Sequence, residues 1–187
     1  MAQVLDVVAI VGSLRRESFT RRLVEGLIAL SPPSMHVEIV PIGDLPLYNQ
    51  DTEAPAPQAW QSFRARIKRA DGVLFATPEY NRSVPGVLKN AIDVGSRPYG
   101  SSAWAGKPAA ILSCSPGAVG GFGANHHLRQ SLVFLDMPAM QQPEAYIGGA
   151  DKLFDASGEW ANPATRTFAQ KFLQSLEAWV RKLRAVG

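Results

Sequence analysis

Nine consecutive residues, Gly12-Ser13-Leu14-Arg15-Arg16-Glu17-Ser18-Phe19-Thr20, combine a turn glycine with three hydroxyls and two guanidiniums. Those are phosphate-binding groups. Ser13, Ser18 and Thr20 offer hydroxyl donors, and Arg15 or Arg16 offers a planar charged fork matched to phosphate oxygens. The stretch lies between a nearly continuous aliphatic run, Val4 to Val11, and a segment where Leu23, Leu27 and Leu30, flanked by Val24 and Ile28, recur at helical spacing. It therefore feeds a helix N-terminus, where unpaired N–H groups and the positive end of the macrodipole favour an anion. This loop contains neither G-x-G-x-x-G nor G-x-x-x-x-G-K-[ST], so it is neither a dinucleotide Rossmann fingerprint nor a P-loop.

Two further loops carry ligand chemistry. Pro78-Glu79-Tyr80-Asn81-Arg82-Ser83 follows the apolar run Gly72 to Thr77. Tyr80 has an apolar body with a polar tip, and Asn81 has both amide donors and an acceptor. Cys114 to Gly123 is the most glycine-rich stretch, suited to close backbone approach to a ligand. Cys114 is the sole cysteine, which excludes an intrachain disulfide and a cysteine zinc site. A C-x5-R phosphatase cradle would need arginine where Gly120 stands. His126 and His127, adjacent on a helix, point about 100° apart with no third ligand spaced to join them, so no metal site is expected.

The elements that must position these loops follow from periodicity. Val4–Val11, His36–Val40, Gly72–Thr77 and Pro108–Ser113 read as strands, with a short last strand expected over Ala139–Gln142. Between them run helices: one with Trp60, Phe63 and Ile67 inward and Arg64, Arg66, Lys68 and Arg69 solvated, one capped by Ser83 and ending near Gly95, and one over about Ala124–Leu135. A C-terminal helix presents Phe168, Phe172, Leu176, Trp179 and Leu183. The alternation implies an α/β fold with an open, five-stranded parallel sheet in the order 2-1-3-4-5, helices on both faces and right-handed crossovers. That order gathers the loops at Gly12, Pro78 and Cys114 at the switch point. Residues 1–187 fit a single domain.

The net charge of +3 is modest and scattered. No basic cluster is interleaved with aromatics, so nucleic acid is not an expected partner. The tail residues Arg181, Lys182 and Arg184 are expected to be a solvated last turn. The N-terminal apolar run is too short to span a bilayer and has no basic region before it, so neither a membrane nor export is expected. One cysteine suits a reducing cytoplasm.

Gly12-Ser13-Leu14-Arg15 with Ser18-Phe19, then Pro78-Glu79-Tyr80-Asn81, then Ser83-Val84-Pro85-Gly86 and Leu88-Lys89-Asn90-Ala91-Ile92-Asp93, resemble the NADPH-dependent FMN reductase family of flavodoxin-like proteins, particularly its bacterial quinone and chromate reductases. The resemblance runs from Val4 to about Glu144. It implies that Ser13, Arg15, Ser18, Phe19 and Thr20 hold an FMN phosphate, that Pro78, Glu79, Tyr80 and Asn81 lie along the isoalloxazine and ribityl, and that Cys114 and Ser115 approach the pyrimidine edge. Backbone N–H groups of the Cys114–Gly117 turn would face the flavin N1 and O2. Thr20 stands where many relatives have Asn, and Arg82 where they have Tyr or Gly, so Arg82 is expected at the substrate entrance. By the resemblance the electron donor is NADPH or NADH, the acceptors are quinones or other small oxidants such as chromate, azo compounds or free flavin, and the chain forms a homodimer or homotetramer. FMN itself carries the chemistry, so no catalytic side chain is expected. The alternatives are a flavodoxin-type electron carrier, which usually has an acidic face, and a redox-sensing flavoprotein that acts through a partner.

Overall fold

The computed structural model of the chain describes residues 3–185. Five parallel strands, β1 (Leu5–Val11), β2 (Met35–Ile39), β3 (Gly72–Thr77), β4 (Ala109–Cys114) and β5 (Ala145–Ile147), form a sheet in the order β2-β1-β3-β4-β5. Each strand is followed by a helix: α1 (Phe19–Ala29), α2 (Gln58–Arg69), α3 (Gly86–Gly95), α4 (Phe122–Phe134) and α5 (Pro163–Arg184). This is the flavodoxin-like, doubly wound arrangement expected. Every residue of β3 and β4 is buried because helices cover both faces, which is why these strands read as unbroken apolar runs. Edge strand β2 alternates instead, with Met35 and Val37 inward and His36 and Glu38 outward.

One face of the sheet packs Val7, Ala9 and Leu112 against Leu23 and Leu27 of α1 and Phe172 and Leu176 of α5. The other packs Val8, Ile10, Phe75 and Ile111 against Ile67 of α2, Leu88 of α3 and Leu128 of α4. Each of these Val, Leu, Ile and Phe side chains contributes about 1.5–3 kcal/mol on burial. Strand order reverses between β2-β1 and β1-β3, so the crevice above the C-terminal ends of β1 and β3 is where the fold presents a ligand.

The structure moves several expected features. The last strand is Ala145–Ile147, not Ala139–Gln142. Ala139 forms only one bridge to Ala109 at the start of β4, and the chain joins the sheet after Pro143, opposite Leu112 to Cys114. Pro85, not Ser83, precedes the first turn of α3, because Ser83 is engaged in the turn before it. The fully buried face of α5 is Ala169, Phe172, Leu173, Leu176 and Val180, with Phe168 and Trp179 on its flank. Arg64 is buried, its Nε donating to Val94 O at 2.8 Å, since α3 covers the flank that apolar periodicity leaves outside.

Arg66 and Arg184 are also tied down, at the end of the sheet where the strands begin. Arg66 donates to the Asp6 carboxylate at 2.7 and 2.9 Å and to Glu38 at 2.8 Å, and these bonds outweigh the burial that opposes its charge, raising its pKa. The Asp6 N–H donates to Asp71 Oδ2 at 2.8 Å, and Asp71 pairs with Arg184 at 2.8 Å. Lys107 reaches the carbonyls of Lys68 and Ala70 at 2.9 and 2.7 Å. These contacts fasten α2, α5 and the entries to β1, β3 and β4, and leave the opposite end to the loops.

Candidate functional site

At the end of β1 the Gly12 N–H makes a last sheet bond, to Ala76 O at 2.8 Å, and the chain turns out of the sheet. Ser18 is the N-cap of α1. Its Oγ accepts from the Arg21 N–H at 3.1 Å, and its own proton remains available to donate. From Ser13 to Thr20, no backbone N–H has a partner among the described residues, and the first turn of α1 contains no acidic residue. The result is a run of unpaired donors at a helix N-terminus with no carboxylate in that first turn, an electrostatic arrangement that favours an anion. Arg15 donates through Nε to Glu17 O at 2.9 Å and lies 4.7 Å from the Phe19 ring centroid, which holds its guanidinium over the loop.

Thr20 Oγ1 lies 3.2 Å from Cys114 Sγ, joining the start of α1 to the end of β4. Burial pushes the Cys114 thiol up, against the opposing effect of the Thr20 bond, so the group stays a neutral thiol at neutral pH. That agrees with a structural strand-end residue and not a nucleophile.

The β3–α3 loop is built around a tight turn. Tyr80 and Ser83 exchange both N–H···O bonds at 3.0 Å, and the residues between them, Asn81 and Arg82, have φ of 52° and 66°. Two left-handed residues in a two-residue loop make a type I′ turn, which favours Asn at its first position and Gly at its second. Asn81 suits its place. Arg82 carries a strain of about 1–2 kcal/mol, so the surroundings must hold the turn. Glu79 does so from one end: Oε2 accepts from the Ala124 N–H of α4 at 3.0 Å, and Oε1 pairs with Arg82 at 3.3 Å. The Glu79 carboxylate therefore caps a helix remote in sequence, a role the sequence did not signal.

The β4–α4 loop differs from expectation in its donors. The Ser115 N–H donates to Ile147 O at 3.0 Å and the Gly117 N–H to Ser115 Oγ at 3.2 Å, while Pro116 has no N–H. The donors of this loop left without partners among the described residues are those of Ala118, Val119 and Gly121, further along. Gly120, at φ 63°, closes the loop against the Tyr146 and Ile147 backbone. Beside it, the Tyr146 hydroxyl donates to Glu144 Oε1 at 2.8 Å and meets His126 Nε2 at 2.9 Å. Burial first, and Glu144 second, push the Tyr146 hydroxyl up to about 12.

The three loops share one cleft, lined by Ser13, Arg15, Ser18, Phe19 and Thr20 from the first, Pro78, Glu79 and Tyr80 from the second, and Cys114, Ser115 and Pro116 from the third. Pro116 adds to the expected Cys114 and Ser115. Asn81 stands on the turn outside this lining, and Arg82 projects into solvent with its side chain 85% exposed. A second groove on the far side of the first loop shares Ser13 and Arg15 and adds Arg16 and Arg21, so arginines flank the cradle from both sides. An apolar hollow of about 10 Å³ between α1, α5 and β5 is a packing gap. Among the described residues, no group of three or more His, Cys, Asp or Glu is placed to hold a metal, and no helix is long and apolar enough to cross a membrane.

Residues 5–152 match the model of the NADPH-dependent FMN reductase family. The chain is 63% identical over 187 residues to a quinone reductase of Pseudomonas putida, covering 100% of both chains. It is 46% identical over 185 residues to an NAD(P)H-dependent FMN reductase of Pseudomonas aeruginosa, covering 98% of this chain and 100% of that one. Its fold superposes with a TM-score of 0.91 on FerB, a flavoenzyme NAD(P)H:(acceptor) oxidoreductase from Paracoccus denitrificans, at 40% identity over 96% of this chain and 98% of that one.

Proposed function

The chain belongs to the NADPH-dependent FMN reductase family, and from that membership we propose that its three-loop cleft holds one FMN and turns over NAD(P)H with a quinone there. The protein is an NAD(P)H-dependent FMN/quinone oxidoreductase. FMN, when bound, supplies a carrier that takes a hydride equivalent from the nicotinamide and yields two electrons to the acceptor. The overall change converts NADPH, a proton and a quinone into NADP⁺ and a hydroquinone.

The observation that carries the reading is the run of unpaired N–H groups from Ser13 to Thr20, facing two other loops across one cleft. A terminal monophosphate fits that donor set, and the first loop carries no dinucleotide fingerprint that would call for FAD. Ser13, Arg15, Ser18 and Thr20 hold the phosphate, with Phe19 supporting the Arg15 guanidinium. Pro78 and Tyr80 wall the ring, while Glu79 and Asn81 set the shape of the turn that carries Tyr80. Cys114 and Ser115 would close the pyrimidine edge. A single domain, residues 1–187, suffices for this chemistry.

Among the described residues one crevice collects all three loops, so donor and acceptor use it in succession. Initial rates over a grid of NADPH and quinone concentrations are expected to give parallel double-reciprocal lines, and NADPH alone is expected to bleach the flavin absorbance. Intersecting lines without bleaching would refute the shared site. Arg82, largely exposed beside the turn and paired with Glu79, biases donor or acceptor choice. In the same grid Arg82→Ala should raise one KM only and leave bound FMN intact, and equal kinetics for both substrates would remove Arg82 from the entrance.

The chain assembles as a homo-oligomer through α4, which exposes Phe122, Val133 and Phe134. Arg129 and Glu144 are engaged within the chain, by Asn125 and Tyr146, so apolar contact dominates that face. Sedimentation should give a dimer or tetramer, and a fully active monomer at low concentration would overturn the assignment.

A further inference from the structure

His127 is a surface residue of α4 with no part in the cleft lining, yet its Nδ1 lies 2.7 Å from Ser83 Oγ. Ser83 is the closing residue of the turn that carries Tyr80, and the left-handed Asn81 and Arg82 leave that turn in need of external support. Glu79 holds the front of the turn to Ala124, and His127, one helical turn further along the same helix, holds its back. Between the two ties the surfaces are in contact. A Cβ on Gly123 would lie 2.9 Å from Glu79 Oε2 and 3.0 Å from the Arg82 carbonyl oxygen, so glycine there lets the turn seat directly on the helix.

From this geometry we infer that His127 is a positioning residue of the reductase: through Ser83 it fixes the Tyr80 turn on α4 and so sets the wall of the flavin cleft. The inference rests on the reading of the cleft as the FMN site. It gives the same helix command of two loops, because α4 also begins where the Cys114–Gly121 loop ends. Displacement of α4 would then shift the second and third walls of the cleft together. Only a group bearing an acceptor or donor at the Nδ1 position, one bond from the ring carbon attached to Cβ, can reach Ser83. Asparagine places its amide there, whereas glutamine places its amide nearer the Nε2 position.

The test is fluorescence titration of FMN into apoprotein, with quinone KM and kcat measured on the reconstituted enzyme. His127→Ala is expected to raise the FMN Kd and the quinone KM about 3- to 10-fold, the scale of one lost hydrogen bond, with kcat within about 2-fold. His127→Asn should restore both values and His127→Gln should not. Ser83→Ala should match His127→Ala, and the double variant should be no worse than either alone. An unchanged Kd and KM in His127→Ala, equal rescue by Asn and Gln, or additive losses in the double variant would each overturn the inference. Wild-type apoprotein that fails to bind FMN would instead overturn the flavin reading, so the two failures are told apart.

Discussion

Gly120→Ala is expected to destabilise the protein by about 2 to 5 kcal/mol, the sum of a left-handed backbone penalty and a forced displacement of packed backbone. Gly120 has φ of 63°, and an added Cβ would lie 2.5 Å from the Tyr146 carbonyl carbon, 2.7 Å from Ile147 N and 2.8 Å from Tyr146 O. None of these is the end of a flexible side chain, so relief requires moving β5 or the loop. For a chain of this length the melting temperature should fall by roughly 4 to 20 °C. Gly117→Ala is the internal comparison: the nearest atom to its Cβ would be Ser115 Oγ at 3.6 Å, an ordinary contact. Its effect should stay within about 0.5 kcal/mol. Thermal unfolding of the two variants side by side is decisive, and equal melting temperatures would mean that the loop does not depend on a tight seat at Gly120.

Arg15→Ala is expected to weaken FMN binding by about 1.5 to 3 kcal/mol, or roughly 10- to 150-fold in Kd, the scale of a charge-assisted hydrogen bond. Arg15 lines the cleft and is held over the cradle by Glu17 O and the Phe19 ring, so little ordering remains to be done when a phosphate arrives. Arg16 lines only the outer groove, and Arg16→Ala should change the Kd less. Fluorescence quenching of FMN titrated with apoprotein reads both values. The gap between the variants should narrow at high ionic strength, because the phosphate contact is a charge interaction near the surface. An unaltered Kd in Arg15→Ala would assign the phosphate to the backbone donors alone.

Much of this architecture is legible in the residues because its determinants are local. Gly72–Thr77 reads as a strand because helices on both faces demand apolar side chains at every position. The cradle is legible for a similar reason, since Gly12 to Thr20 supply a phosphate site from contiguous chain. What escapes is made by partners far apart. The Glu79–Ala124 cap spans 45 residues and the Thr20–Cys114 contact 94, and nothing in either local pattern announces the other member. Arg64 escapes because periodicity describes the sheet-facing stripe of α2 but not the flank that α3 covers. The last strand was displaced because three residues carry too little pattern to outweigh the apolar Ala139–Met140 segment nearby. Asn81 and Arg82 read as a loop by composition, but their left-handed geometry follows from the pairing of Tyr80 with Ser83, which only the fold reveals.

The network of Asp6, Arg66, Asp71 and Arg184 lies at the end of the sheet remote from the loops. Inherited variation at the two ends is therefore largely independent. Substitutions at exposed loop positions such as Ala118 or Val119 touch no member of that network, so a lineage can try new oxidants with little change in its folding equilibrium. Changes at the charged end would instead alter the habitat in which the protein persists, its salt and its temperature, without redrawing what it reduces. Divergence in substrate and adaptation to environment can thus be inherited separately in a chain of 187 residues.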